Sequence, residues 1–234
     1  MMAERQVALV TGGAGGIGAA TARALLDRGY LVAVTGRRPE RLEAFAARAG
    51  AGDTLLTLTG DAADADDVAA SVAQTLERFG RLDVAIANAG YATFDDIADG
   101  DPHRWRDMVL TNVLGPALLI NAALPELRRT KGRIVLVGSV AGLTYTPGNV
   151  YGATKWAVTA LAENTRRLVS GEGVGVTLIG PGRVDTDFWE AAGGPQPGRL
   201  LTADQVAAAI TWAVTQPEGV DVSCVLLRPF GAVY

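Results

Sequence analysis

Val7-Ala8-Leu9-Val10-Thr11-Gly12-Gly13-Ala14-Gly15-Gly16-Ile17-Gly18 is a short apolar run that empties into a glycine-rich loop and then into a helical pattern. Val7–Val10 has no polar interruption, as expected of a strand buried on both faces. From Gly16 the apolar spacing becomes helical and holds to Arg28. Glycines at 12, 16 and 18 let a backbone turn sharply, approach a pyrophosphate closely and pack helix on strand. The anion would then sit at the helix N-terminus, which predicts a dinucleotide loop at Gly12, Gly16, Ile17 and Gly18.

The same change of period repeats outward along the chain. Further strands are predicted at Leu31–Thr35, Thr54–Leu58, Asp83–Ala87, Arg133–Gly138, Val174–Ile179 and Asp221–Leu227. Helical spacing covers Pro39–Ala49, Ala65–Phe79, Asp101–Arg129, Val150–Ser170 and Ala203–Thr215. Strands alternating with helices, several strands apolar throughout, predict an α/β, doubly wound fold: a seven-stranded parallel sheet with helices on both faces. The 234 residues fit one domain spanning 1–234. The stretch Ala191–Gly198 (AAGGPQPG) is expected to be a loop that, with its flanks at about 186–200, forms a lid.

Composition narrows the chemistry. The chain is 49% hydrophobic and 20% charged, with a net charge of −4. An acidic balance gives no reason to expect nucleic acid or an anionic membrane as a partner. One cysteine, Cys224, and one histidine, His103, exclude an internal disulfide and argue against a zinc site, so no metal is expected and the cytoplasm is the expected location. Cys224 is read as a small core hydrophobe and His103 as a surface residue. The uncharged stretches Met108–Pro125 and Ile134–Thr154 are broken by Asn, Gly, Ser, Thr or Pro and read as a buried helix and a core strand leading to a site, so no membrane span is expected. Of 21 basic residues only Lys131 and Lys155 are lysines.

Lys155 stands four residues after Tyr151, so the two share one helix face. A phenol near pKa 10 is a poor base at neutral pH, and a neighbouring ammonium favours its phenolate. The compact charge of a lysine suits that task. Ser139 lies at the end of the fifth strand, twelve residues before Tyr151.

The Gly-x3-Gly-x-Gly spacing, followed in order by Asn88-Ala89-Gly90, Asn112, Ser139, Tyr-x3-Lys and Pro181-Gly182 with Val184 and Thr186, resembles the short-chain dehydrogenase/reductase family over nearly the whole chain. The resemblance implies a Rossmann fold and hydride exchange between a nicotinamide coenzyme and a small carbonyl or alcohol substrate. It implies that Tyr151 exchanges a proton with the substrate oxygen and that Ser139 hydrogen-bonds the same oxygen. Lys155 would hold the nicotinamide ribose and lower the tyrosine pKa, and Asn112 would hold a water linking Lys155 to solvent. Asn88, Ala89, Gly90, Pro181, Gly182, Val184 and Thr186 would line the coenzyme, with Asp61 at the adenine. The family also implies a homo-oligomer, tetramer or dimer, joined through the long helices. The C-terminal sequence DVSCVLLRPFGAVY resembles the clavulanate-dehydrogenase-like and serine-dehydrogenase-like reductases.

Coenzyme choice turns on the end of the second strand. A carboxylate there would hold the 2′-hydroxyl of NAD, but this chain has Gly36-Arg37-Arg38. A small residue followed by guanidinium forks favours the 2′-phosphate of NADP, with NAD the alternative. Gly15 supplies no second basic group in the loop, where many NADP-preferring relatives carry one. On the substrate side Tyr91, Phe94, Tyr145, Phe188 and Trp189 fall in the loops after the fourth, fifth and sixth strands, and suggest an apolar or ring-bearing substrate. An NAD-dependent dehydrogenase working oxidatively and a non-catalytic dinucleotide sensor are the competing readings. Retention of both Tyr151 and Lys155 favours an enzyme, and an extended sugar-nucleotide epimerase would need a larger C-terminal region.

Overall fold

The computed structural model describes residues 5–192, 194 and 198–232. Seven parallel strands form one sheet in the order β3-β2-β1-β4-β5-β6-β9. They are β1 Val7–Thr11, β2 Leu31–Gly36, β3 Leu55–Thr59, β4 Val84–Ala87, β5 Arg133–Val137, β6 Gly175–Pro181 and β9 Cys224–Leu227. Two short strands, β7 Val184–Asp185 and β8 Leu201–Thr202, form a separate parallel pair that the sequence reading does not contain. The helices are α1 Gly16–Leu26, α2 Pro39–Ala49, α3 Ala65–Phe79, α4 Pro102–Val109, α5 Gly115–Thr130, α6 Val150–Val169 and α7 Ala203–Val214.

Alternation along the strands divides the core in two. In β1, Ala8 and Val10 face α1, α2 and α7, where they meet Leu25, Phe45 and Ile210. Val7 and Leu9 face α3, α5 and α6, among Val72, Leu119, Leu127 and Val158. Each fully buried aliphatic side chain of this kind contributes about 1.5–3 kcal/mol, which is why strands covered on both sides read as unbroken apolar runs.

After β1 the chain builds outward through β2 and β3, then returns so that β4 pairs with the other side of β1. That reversal separates the loops after β1 and β4 and opens a crevice at the carboxyl ends of the strands, where ligands bind in such sheets.

The predicted helix 101–129 is interrupted. Between α4 and α5 lies a π-helical turn, Leu110–Leu114. Pro116 lacks an N–H, so it offers nothing to the Asn112 carbonyl four residues back. By length and composition the run Pro102–Thr130 could cross a membrane. Here its residues Leu119, Ile120, Ala123 and Leu127 are buried against the sheet, as in a core helix.

Other expectations are corrected. The last strand begins at Cys224; Asp221 precedes it and accepts a hydrogen bond from the Val176 N–H at 3.1 Å. Cys224 is exposed, because β9 is the edge strand beyond β6. Asp64 caps α3, accepting from the N–H groups of Asp66 and Asp67. His103 is exposed, as expected. Gly193 and the 195–197 part of the glycine-proline loop lie outside the described residues.

Candidate active site

The crevice is a cavity of about 1040 Å³ that runs from Arg37 and Arg38 at the end of β2, past the glycine loop, to Tyr151. Apart from Gly18 and Asn112, every residue singled out in the sequence for coenzyme, chemistry or substrate lines it. Those two stand directly behind its wall.

The loop after β1 is shaped by its own backbone. Gly12 has φ +63°, and a Cβ there would sit 3.0 Å from the Ala89 Cα. At Gly18 a Cβ would lie 2.3 Å from the Gly12 carbonyl oxygen and 2.5 Å from Asn88 Nδ2. No side chain fits, so the first turn of α1 packs directly onto the loop. Asn88 fastens it from across the switch point, its Nδ2 donating to the carbonyls of Thr11 at 2.9 Å and Gly12 at 3.1 Å. The Thr11 hydroxyl in turn accepts from the N–H groups of Asn88 and Ala89. A cradle open toward the crevice, floored by glycine and facing a helix N-terminus, fits the pyrophosphate of an adenine dinucleotide.

The adenosine end is less confined. Arg37 and Arg38 are exposed, and neither guanidinium pairs with a carboxylate among the described residues. Asp61 accepts from the Ala63 N–H at 2.9 Å, and its own N–H donates to Asp67. One cation at this end carries no signal in the glycine motif: Arg41, on the first turn of α2, lines the cavity and meets Asp187 at 3.3 Å. Its position four residues after Arg37, on the helix that opens at the strand end, is the sequence feature that could have found it.

At the other end α6 carries Tyr151 and Lys155 one turn apart, and Asn149 caps that helix through the Gly152 N–H. The lysine is buried, with Nζ donating to the Val137 carbonyl at 3.0 Å and lying 5.6 Å from the Tyr151 ring centre. Burial lowers its pKa to about 8. Tyr151 moves oppositely: burial pushes the phenol up to about 12, while a side-chain hydrogen bond from Ser139 pulls it down. The sequence reading expects Lys155 to lower this pKa, but in the protein alone burial sets the direction, because a buried phenolate loses its water, and the opposing contribution comes from Ser139. Ser139 itself is held by the Ala141 N–H, which donates to its Oγ at 3.1 Å.

Asn112 is 1% exposed and uses its whole side chain for positioning. Its Oδ1 accepts from the Tyr91 N–H at 3.0 Å, and Nδ2 donates to the Tyr91 carbonyl and to Thr154 Oγ1. Thr154, on α6, is thus a partner that sequence reading missed. Gly90 is packed between these groups: a Cβ on it would lie 3.0 Å from Asn112 Oδ1 and 3.7 Å from Lys155 Nζ.

The five loop aromatics do not act together. Phe94, Phe188 and Trp189 form one cluster, with Phe94 stacked on Trp189 at 5.4 Å and edge-on to Phe188 at 5.5 Å. Phe188 lies 5.7 Å from the Tyr151 ring. Phe94 holds φ +57°, an unfavourable conformation for a bulky residue. Tyr145 instead is 90% exposed and stacks on Trp156. Tyr91 turns its hydroxyl toward the Arg104 carbonyl, near Arg37 and Asp61, and so faces the adenosine side.

Residues 6–196 match the family model for short chain dehydrogenase. The chain belongs to the short-chain dehydrogenase family. It is therefore an oxidoreductase with a Rossmann-type dinucleotide fold. Among curated members, serine 3-dehydrogenase of Agrobacterium fabrum is 35% identical over 94% of this chain and 92% of its own length. Two solved members have nearly the same backbone. The alcohol dehydrogenase of the archaeon Thermococcus sibiricus, complexed with 5-hydroxy-NADP, superposes with a TM-score of 0.89 at 32% identity, covering 99% of both chains. The closed form of serine dehydrogenase, complexed with NADP+, gives 0.91 at 30% identity, covering 98% of this chain and 97% of that one.

Proposed function

We propose that this short-chain dehydrogenase interconverts a secondary alcohol and a carbonyl with NADP(H), using Tyr151 as the proton donor and acceptor. One observation carries the reading: Ser139 and Tyr151, with Lys155 behind them, line the same cavity whose far end carries Arg37 and Arg38 and no strand-end carboxylate. The NADP complexes of two structurally similar family members support the choice of coenzyme.

The bound nicotinamide supplies or accepts the hydride. The chain's residues do the rest. Ser139 and Tyr151 together hold the substrate oxygen. A phenol kept protonated by burial is ready to give its proton to a carbonyl oxygen as that oxygen gains charge. Lys155 stabilises the phenolate left behind, and its depressed pKa lets it pass a proton on near neutral pH. Because the Asn112 side chain is committed to the loop after β4 and to α6, its carbonyl is the group left to hold a water on that path. Arg37 and Arg38 grip the 2′-phosphate.

The Phe94, Phe188 and Trp189 cluster makes the substrate wall apolar and favours ring-bearing or aliphatic ketones. The chain would act as one unit, with residues 186–192 closing over the site. The half-exposed Val109 and Leu114 of the α4–α5 run favour a dimer or tetramer joined there, in the cytoplasm. The deciding experiment is a panel of ketones, quinones and aldehydes with NADPH, followed by loss of its absorbance. Turnover that favours NADPH over NADH and disappears in Tyr151→Phe is expected. NADH preference unaffected by Arg37→Ala would overturn the coenzyme assignment.

A further inference from the structure

Arg41 stands where two parts of the cavity meet. Its Nη1 is 3.9 Å from the point a Cβ on Gly15 would occupy, so the guanidinium lies beside the glycine loop. The same nitrogen is 3.3 Å from Asp187 Oδ2. Asp187 belongs to the segment that carries the aromatic wall, immediately before Phe188 and Trp189. The preceding residue, Thr186, rests on the glycine loop, its Cγ2 3.3 Å from the Cβ position of Gly16. An anionic side chain from the substrate segment thus occupies a guanidinium that lies beside Gly15, at the end of the cavity that carries Arg37 and Arg38.

Both partners remain open to water, with side chains 39% and 63% exposed. An ion pair of this kind contributes little and exchanges readily. A phosphate, with more charge than a carboxylate and oxygens that match a guanidinium fork, is the stronger partner. Arg37, Arg38 and Arg41 all border one end of the cavity, and Arg41 supplies there the cation that Gly15 lacks.

We infer that Arg41 is a coenzyme-selecting residue which exchanges Asp187 for the 2′-phosphate, so that Asp187 is a built-in competitor of the phosphate-bearing coenzyme. This rests on the NADP reading above. The exchange links the two ends of the cavity: seating the phosphate releases the 186–189 segment from α2, and holding that segment down weakens the grip on the phosphate.

Dissociation constants for NADPH and NADH, measured by calorimetric titration without substrate, test the inference. Asp187→Asn, which removes the charge and keeps the shape, is expected to tighten NADPH about threefold and leave NADH unchanged. Arg41→Ala is expected to weaken NADPH about tenfold with little change for NADH, the loss of one charge-assisted contact. In the Arg41→Ala background Asp187→Asn should then have no effect. Equal weakening of both coenzymes by Arg41→Ala, no weakening of either, or an undiminished effect of Asp187→Asn without Arg41 overturns the inference. Arg37→Ala separates the two claims. If Arg37→Ala weakens NADPH selectively and Arg41→Ala does not, the exchange fails and the NADP assignment stands; if neither does, the assignment falls with it.

Discussion

The two ends of the cavity are built by different means. Around Gly12 and Gly18 the surface is backbone, locked by Asn88 and Thr11, and its shape follows from the absence of side chains. Around Tyr151 the surface is side chain, and its shape follows from how three rings from two loops happen to meet. A backbone cradle of this kind tolerates almost no substitution. A side-chain wall can be rebuilt ring by ring, so substrate choice can change while the coenzyme site stays as it is.

The largest effect that separates the ends is expected from Tyr151→Phe. Loss of the proposed proton donor should cut kcat by about 10²–10⁴-fold, with the NADPH dissociation constant unchanged in a binding titration. A comparable loss of coenzyme affinity would mean the two ends are not independent. Gly18→Ala attacks the other end. Its Cβ would collide with the Gly12 carbonyl, and overpacking of this kind costs about 1–3 kcal/mol. Thermal unfolding should show the drop, and coenzyme binding should weaken for every substrate alike.

Phe188→Ala sharpens the contrast at smaller scale. Each aromatic pair contributes about 0.5–1.5 kcal/mol, so KM for a ring-bearing ketone should rise several-fold while KM for NADPH holds. An unchanged KM across the panel would remove the cluster from the substrate site.

The smallest effect concerns Lys155 in the coenzyme-free protein. Its pKa is lowered from 10.5 to about 8, so between those values the unfolded chain binds more protons than the folded one. Stability should therefore rise with pH across that window, and Lys155→Met should lose the rise. Tyr151 acts in the opposite sense only above about pH 10, where a phenol whose pKa is raised begins to favour the folded state less with each step in pH. Denaturant midpoints at several pH values separate the two.

Much of this was legible in the chain. Unbroken runs such as Ile134–Val137 mark strands covered on both faces, and the Tyr151–Lys155 spacing places both on one helix face. Arg41 was not legible as part of the site, because its partner Asp187 lies 146 residues away and only the packing of the 186–189 segment on the glycine loop joins them. The exposure of Cys224 was hidden for a similar reason: an apolar residue in a strand reads as core unless one knows the strand is an edge. Tyr91 and Tyr145 were assigned to the substrate wall from loop membership alone, which says where a backbone is and nothing about where its ring turns.

The sequence by itself determined the order of strands and helices, the glycine cradle and the pairing of Tyr151 with Lys155 on one helix face, because periodicity, missing side chains and i,i+4 spacing are local properties. The tertiary structure decided what burial does to Tyr151 and Lys155, which ring meets the Tyr151 phenol and which carboxylate holds Arg41. Desolvation and long-range contact depend on what the rest of the chain brings near, and no local pattern records that.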